Sequence, residues 1–255
     1  MKREFLTLDD PRWTQCHAGT VAAVDDRPVA AWFAGTREGT PDNRIVVWRD
    51  GSTHVLDTGR DVAHWNPVLA PGPADDLWLF LKVGPRISEW TTLVTHSDDG
   101  GVTWDRAREL VPGDASGGRG PVRNPPLVTP GGLWLAPGSV ERWGGPVRWD
   151  PFVDVSSDGG TTWLRAPIPV DHAALTGAGH IQPTLWWGRA GARRRRRGGR
   201  VGPPAGDGGV VTDGVGEYSY PSAVLDGDLL LVTCTWQRRG IVLVTLPITD
   251  LEDAQ

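Results

Sequence analysis

The chain has 255 residues, among them 34 glycines and 22 prolines, and a formal net charge of −5. Glycine and proline both destabilise helix interiors, so this composition excludes a helical bundle and favours many short strands joined by turns. A hydrophobic content of 39% with 14 tryptophans excludes a disordered chain, and no glycine period indicates collagen. We therefore expect one all-β domain spanning residues 1–255, a length that single all-β domains reach.

The same composition limits the partners that the protein is expected to have. A negative net charge gives no general attraction to nucleic acid, and no run of apolar residues is long enough to span a membrane. Residues 1–12 lack the apolar segment of a secretory signal, so we expect a cytoplasmic protein. Cys16 and Cys234 are too few for a disulfide framework, and no cluster has metal-ligand spacing. We expect no metal and no other cofactor, and the sequence leaves the oligomeric state open.

Two unrelated sequence patterns recur along the chain with one period. The stretch SDDGGVTW at 97–104 returns as SSDGGTTW at 156–163, 59 residues later. We call these two stretches the acidic turns. An amide side chain precedes a proline at Asn66, Asn124 and Gln182, at intervals of 58 residues. Two patterns that share one period indicate tandem structural units.

Each unit has the pattern of four strands. Apolar runs at 76–83 and 132–137 are followed by second runs at 91–96 and 149–155, which lead into the acidic turns. An amide-proline strand ahead of these runs and a short strand after each turn complete a four-stranded antiparallel sheet. The proline is expected at the strand entrance, where its missing N–H is tolerated. Tandem sheets of this size predict an all-β fold, a β-propeller built of four-stranded antiparallel blades.

The acidic turns are interpreted as structural rather than chemical. The aspartate is expected to accept backbone N–H groups, the second glycine to supply a positive φ, and the tryptophan to pack between sheets. These residues are Asp99, Gly101 and Trp104 in the first turn and Asp158, Gly160 and Trp163 in the second.

Both turns match the pattern Ser-x-Asp-x-Gly-x-Thr-Trp at every fixed position, and the chain therefore resembles the sialidase-like Asp-box (BNR repeat) proteins. Further stretches resemble one bacterial branch of that superfamily: 32–39, 65–69, 123–125, 179–184 and 217–221. The resemblance covers about residues 14–187 and 216–248. It implies a six-bladed propeller with a carbohydrate site over the central channel.

The period breaks in the last third of the chain. Blades are expected to begin near His17, Asn66, Asn124, Gln182 and Tyr220, so the last interval is only 38 residues. Between them, residues 188–214 are rich in arginine and glycine and include five consecutive arginines. This stretch is either a solvated basic loop or the scar of a frameshift or deletion in a GC-rich gene. Without aromatic residues it is a poor nucleic-acid site. The propeller is expected to be incomplete.

Polar residues on the inner strands of a propeller converge on its axis, which defines the candidate site. The candidates for catalysis are Glu38, Asp42, Glu141 and Tyr220, and those for substrate binding are Arg37, Asn66, Arg123, Asn124, His180, Gln182 and Arg238. Converging arginines bind a carboxylate with paired hydrogen bonds, and glycoside cleavage needs an acid with a raised pKa opposite a nucleophile or base.

The resemblance implies roles for these candidates. Sialidases use a tyrosine nucleophile assisted by a glutamate, which places Tyr220 as nucleophile with Glu141 or Glu217 as its partner. Glu38 or Asp42 would then be the acid, and Arg37, Arg123 and Arg238 the set that binds an anion. For several candidates a structural role stays open: the three amides as links between blades, His180 as a structural group, and Tyr220 as a filler of the channel.

The expected function is a sialidase-like glycoside hydrolase that removes a terminal acidic or deoxy sugar. The Phe/Tyr-Arg-Ile-Pro sequence of true sialidases is absent, and Arg86-Ile87-Ser88 is its nearest approach. This difference favours another sugar-active enzyme on the same scaffold over a true sialidase. Two alternatives stay open: a non-catalytic carbohydrate-binding propeller, and a decayed gene product that has lost its activity through truncation.

Overall fold

A computed structural model describes residues 1–74, 76–186 and 216–249. Residues 188–214, for which the sequence leaves a basic loop or a scar open, lie outside the described residues. The described chain forms sixteen strands and one 3₁₀ turn, Ile87–Glu89. The strands are β1 (Lys2–Leu8), β2 (Gln15–Val24), β3 (Arg27–Gly35), β4 (Arg44–Arg49), β5 (Ser52–Val55), β6 (His64–Pro71), β7 (Leu77–Val83), β8 (Thr91–Ser97), β9 (Arg108–Glu109), β10 (Leu127–Val128), β11 (Trp134–Arg142), β12 (Arg148–Ser156), β13 (Leu164–Pro167), β14 (Tyr218–Asp226), β15 (Leu229–Trp236) and β16 (Gly240–Pro247).

The strands make four antiparallel sheets of four strands each, which are the blades of a propeller. β2–β5 form the first blade, β6–β9 the second and β10–β13 the third. The closing blade has the order β14-β15-β16-β1, so that the strand Lys2–Leu8 is its outer edge. The predicted fold class is thus confirmed, with four blades in the described residues where the resemblance implies six. In the described chain, no helix is long and apolar enough to cross a membrane.

Neighbouring blades pack face to face along the chain. The closing blade packs on the first through Leu231, Ile241 and Leu243, which meet Ala30, Trp32 and Val46. Phe33 and Leu79 belong to the cluster between the first and second blades, and Phe80 and Trp134 to the one between the second and third. The blades are joined by burial of apolar surface, and their order places the inner strands β2, β6 and β14 around one hub.

Each of these inner strands carries a bulge at the same point. The register of β2 shifts between His17 and Thr20, that of β6 between Trp65 and Val68, and that of β14 between Ser219 and Ser222. The bulged residues have positive φ values: Ala18 (55°), Asn66 (39°) and Tyr220 (53°). The prediction that Asn66-Pro67 marks a strand entrance is therefore wrong, because the pair lies inside β6. Pro67 is tolerated there because a bulged residue needs no ladder hydrogen bond.

The acidic turns have the predicted structure. Asp99 accepts hydrogen bonds from the backbone N–H of Val102 (3.0 Å) and Thr103 (2.8 Å) and from the Thr103 hydroxyl (2.6 Å). The hydrogen bonds from Thr103 lower the pKa of Asp99 to about 2. Trp163 is buried, with its ring 6.4 Å from Phe80 and 6.3 Å from Trp134. The turn therefore anchors a tryptophan between two blades.

We expect Gly160→Ala to destabilise the protein by more than about 1 kcal/mol, and more than Gly159→Ala does. Both glycines have positive φ (84° and 69°), so both substitutions carry the same kind of backbone strain. Only at Gly160 would the new Cβ lie 2.9 Å from the Trp78 ring, whereas nothing lies within 4 Å at Gly159. Urea unfolding of both variants measures the difference, and equal losses would exclude a contribution from the ring contact.

A buried polar network joins the second and third blades and supports the segment that leads to the hub. The ammonium of Lys82, which is completely buried, donates to the Thr92 hydroxyl (2.8 Å) and to the carbonyl of Arg119. The Thr92 hydroxyl also donates to that carbonyl (2.6 Å). Burial lowers the pKa of Lys82 to about 7. The loop around Arg119 is thus held by β7 and β8 before the chain reaches Arg123.

The free energy of unfolding is expected to rise by about 1 kcal/mol per pH unit between pH 7 and 9 because of Lys82. The folded state loses this proton above its lowered pKa, while the unfolded lysine keeps it up to about 10.5, so the unfolded state binds more protons across this window. The charged groups that act on Lys82 are Asp154, Arg165, Asp114 and Arg119. Lys82→Met should remove this slope. Urea unfolding at several pH values tests this prediction, with the exposed Lys2→Met as the control. If the free energy of unfolding rose with pH equally in Lys82→Met and in the parent, the prediction would be contradicted.

Candidate functional site

Side chains from four parts of the chain meet at the hub, and we call His17, Arg123, Gln182 and Tyr220 the hub cluster. The bulges of β2 and β14 present His17 and Tyr220, whose rings lie 4.4 Å apart. The Arg123 guanidinium lies over the Tyr220 ring, 5.2 Å from its centre, and donates to the Tyr220 carbonyl. The Gln182 amide donates to the Tyr220 hydroxyl (3.4 Å). Four predicted blades therefore supply one contiguous cluster.

Two buried polar atoms in the hub cluster have no hydrogen-bond partner among the described residues. They are Nη1 of Arg123 and Nδ1 of His17. Burial lowers the pKa of Arg123 to about 10 and that of His17 to about 4. At neutral pH the arginine is therefore a cation and the histidine is neutral. Buried polar groups are normally satisfied, so these atoms offer hydrogen bonds to a bound molecule or to water.

A pair of carboxylates holds Arg238 above the hub, and we call Glu38, Glu217 and Arg238 the clamp. Arg238 donates to Glu38 (2.6 Å) and to Glu217 (2.8 Å), which joins the first blade to the closing blade. The hydrogen bond from Arg238 lowers the pKa of Glu217. Glu217 also lies 4.0 Å from Nδ1 of His17. The charge of Arg238 is thus already balanced, so this arginine is a weaker anion ligand than Arg123.

Glu141 is a buried carboxyl group near the end of β11. Only 8% of its surface is exposed, and burial raises its pKa. Side chains two residues apart in a strand point to the same face, so Glu141 shares a face with Ser139. The hydroxyl of Ser139 accepts a hydrogen bond from the backbone N–H of Gln182 (3.2 Å). The Glu141 side chain therefore projects on the face of β11 that contacts the hub cluster.

A cleft of about 520 Å³ lies at the mouth of the hub, and we call it the mouth cleft. Its walls combine the clamp residues Glu38 and Arg238 with an exposed arginine, an amide and two apolar side chains: Arg37, Gln15, Trp65 and Ile87. Trp65 is buried and fixed, because its indole N–H donates to the Gly84 carbonyl (2.9 Å). The cleft therefore has one rigid aromatic wall and charged groups of both signs.

The other predicted site residues have structural contacts. Asp42 accepts a hydrogen bond from the backbone N–H of Thr36 (2.7 Å), and hydrogen bonds from Thr40 and Thr36 lower its pKa, which makes it a poor proton donor. Asn66 is buried at the bulge of β6. Asn124 donates to the carbonyl of Gln182 (3.0 Å) and so supports the hub cluster from outside β10. His180 is exposed, and its backbone N–H donates to the Trp149 carbonyl (3.2 Å).

His17 belongs to the site although the sequence analysis does not select it as a candidate. The sequence marks His17 only as the expected start of the first blade. The bulged residue equivalent to Asn66 and Tyr220 is Ala18, one residue later. No sequence signal marks it, because the bulges at Ala18, Asn66 and Tyr220 share a backbone conformation without sharing residues.

The pattern of a BNR repeat-like domain matches residues 26–200, which is more than half of the chain. The chain belongs to the BNR repeat-like family. No curated protein sequence matches this BNR repeat-like chain. Its fold is similar to that of a protein of unknown function from Dyadobacter fermentans, with a TM-score of 0.58 and 12% identity, over 99% of this chain and 85% of the other.

The BNR repeat-like chain is also similar to the Hadza microbial sialidase Hz136. The TM-score is 0.52 with 10% identity, over 96% of this chain. The matched part is 47% of the sialidase, so the chain spans about half the length of that protein. At these identities the two comparisons show a shared propeller fold and carry no information about the reaction.

Proposed function

We propose that this BNR repeat-like protein is a sialidase-like glycoside hydrolase that removes a terminal acidic sugar at the hub. The observation that carries the proposal is Nη1 of Arg123, a buried N–H of a cation beside Tyr220 without a partner among the described residues. A carboxylate is the ligand that best matches a guanidinium, because both groups are planar and can form paired hydrogen bonds. An acidic sugar supplies that carboxylate together with a glycosidic bond.

Each hub residue then has a role in cleavage. Arg123 binds the sugar carboxylate and Arg37 supplies further positive charge at the mouth. The hydroxyl oxygen of Tyr220, oriented by Gln182, attacks the anomeric carbon, and its proton passes to the Glu217 carboxylate, which lies beside the His17 ring that contacts Tyr220. Glu141 donates its proton to the leaving oxygen as the glycosidic bond breaks. Water, which gives a proton to the Glu141 carboxylate, then attacks the anomeric carbon, and the Tyr220 oxygen leaves and takes its proton back from Glu217.

The second candidate, a non-catalytic carbohydrate-binding propeller, is favoured by the clamp. Glu38 and Glu217 are both engaged by Arg238, so neither carboxylate is free to act on a substrate until that pairing opens. A site that only binds sugar needs neither of them.

Turnover of aryl glycosides by the purified protein tests the proposal. The panel includes sialosides, uronides and 6-deoxy glycosides, and calorimetry measures binding of the corresponding free sugars. We expect release of the aryl group from an acidic glycoside, lost in Tyr220→Phe and kept in the matched variant Tyr218→Phe. Binding of an acidic sugar without turnover would support the second candidate. Neither binding nor turnover in the folded protein would contradict both.

A further inference from the structure

Two buried nitrogen atoms of the hub cluster lie on side chains that contact one tyrosine. Arg123 is 5% exposed and His17 is 1% exposed, and neither Nη1 of Arg123 nor Nδ1 of His17 has a hydrogen-bond partner among the described residues. The Arg123 guanidinium lies 5.2 Å from the centre of the Tyr220 ring, and the His17 ring lies 4.4 Å from it. A carboxylate that binds Arg123 is therefore placed close to the tyrosine.

A carboxylate that binds Arg123 also becomes more reactive at the carbon next to it. When a C–H bond at that carbon loses its proton, negative charge spreads onto the carboxylate oxygens, and a guanidinium bonded to them stabilises this charge. In a uronic acid this carbon is C5, which carries a hydrogen, and the neighbouring C4 carries an oxygen that can leave. In a sialic acid the carbon next to the carboxylate carries no hydrogen. Of these two acidic sugars, only the uronic acid can therefore undergo β-elimination.

β-Elimination needs a group that moves a proton, and the hub cluster contains one. The Tyr220 side chain is partly buried, and the amide of Gln182 donates to its hydroxyl oxygen (3.4 Å), so the same N–H group can donate to a tyrosinate oxygen. The reaction consumes no water and needs no free carboxylate. Both carboxylates of the clamp are engaged by Arg238. The closed clamp, which must open before Glu217 can serve hydrolysis, is therefore compatible with elimination.

We propose that the hub cluster also cleaves glucuronic acid residues that carry a sugar on O4, by β-elimination, with Tyr220 as the group that moves the proton. The tyrosinate oxygen takes the proton of C5, and the electron pair of that C–H bond forms the C4–C5 double bond as the C4–O bond breaks. The Tyr220 hydroxyl then gives the same proton to the leaving oxygen, which restores the tyrosinate. Arg123 binds the carboxylate throughout, and for this ligand alone the inference rests on the proposed function.

The use of one proton-moving group determines which uronic acid reacts. Tyr220 can reach the hydrogen of C5 and the oxygen of C4 in turn only when both lie on the same face of the sugar ring. They lie on the same face in glucuronic acid and on opposite faces in galacturonic acid, its epimer at C4. The two sugars have the same charge and the same carboxylate, so the pair of epimers is a matched test of this geometry.

The probes are the methyl glycosides of glucuronic acid and galacturonic acid, each with glucose linked to O4. Elimination releases glucose and an unsaturated methyl uronoside, whose conjugated double bond absorbs ultraviolet light, whereas hydrolysis of the methyl glycoside releases methanol. With the full chain we expect unsaturated product from the glucuronide and none from the galacturonide. Tyr220→Phe should lower this rate at least about 100-fold, while the matched variant Tyr218→Phe should stay within about threefold of the parent. Urea unfolding checks that both variants are folded.

The possible outcomes separate this inference from the proposed function. If the folded parent forms no unsaturated product from the glucuronide, the inference is overturned, and release of aryl groups from acidic glycosides by the same preparation would keep the hydrolase. Elimination without any hydrolysis would keep the inference and contradict the hydrolase. Equal or faster elimination from the galacturonide would overturn the inference, and so would unsaturated product formed at the parent rate by Tyr220→Phe.

Discussion

Replacing Asp154 with alanine is expected to lower the free energy of unfolding by about 3–5 kcal/mol. Asp154, on β12, is completely buried and accepts hydrogen bonds from Arg119 Nε (3.0 Å) and Nη2 (2.8 Å) and from the Gly120 backbone N–H (2.6 Å). The Arg119 side chain is only 12% exposed, so the substitution leaves a buried cation without its partner. Urea unfolding at neutral pH measures the loss.

Asp150→Ala is the matched control for this prediction, because Asp150 lies on the same strand and also pairs with an arginine. Its partners Arg142 and His172 are at the surface, and such pairs contribute about 0–1 kcal/mol. A similar loss of unfolding free energy in both variants would show that the burial of Asp154 adds nothing to the stability of the protein. The Arg119 loop leads to Arg123, so Asp154→Ala should also weaken binding of an acidic sugar at temperatures where the variant stays folded.

Glu141→Gln is expected to lower kcat by about 10²–10⁴-fold for substrates with poor leaving groups. The proposed function needs Glu141 to donate a proton, and burial, which raises the pKa of Glu141, favours the protonated form. The rate of the parent protein should therefore fall as the pH rises through this raised pKa, and the rate of the variant should not show this fall. Steady-state kinetics between pH 4 and 9 measures both effects, with Glu4→Gln on the outer strand β1 as the control.

The stability of the same variant supplies a test that does not depend on turnover. The folded state keeps the Glu141 proton to a higher pH than the unfolded state, so it binds more protons between the two pKa values. The free energy of unfolding should therefore fall as the pH rises through that window, and Glu141→Gln should not show this fall. If kcat of the variant still fell with rising pH as it does in the parent, Glu141 would not be the proton donor. Identical profiles of the free energy of unfolding against pH in the two proteins would contradict the burial of Glu141.

The blades were predictable because their signals are local. The hydrogen bonds that the aspartate side chains of the acidic turns accept come from within the same eight residues. The apolar runs at 76–83 and 149–155 became β7 and β12 with small changes of boundary. The bulges were not predictable, since Asn66-Pro67 and Ala18-Gly19 share a backbone conformation without sharing residues. The 58-residue period also misled at Asn124, which lies outside β10 and lacks the positive φ of Asn66 and Gln182.

The arrangement of the candidate residues was only partly predictable from the sequence. Arg123, Gln182 and Tyr220 meet as expected, because all propeller blades direct their inner strands to one axis. The pairing of Arg238 with Glu38 joins residues 200 positions apart, and no local pattern carries that information.

The pairing of β1 with β16 has a consequence for the order of events during synthesis. Lys2–Leu8 is made long before its partner strand Gly240–Pro247. The closing ladder therefore forms only after residue 247 has been translated, across a loop of more than two hundred residues. Until then the N-terminal strand is an unpaired edge, a template for association between nascent chains, and chaperones that cover such edges would govern the yield of this protein.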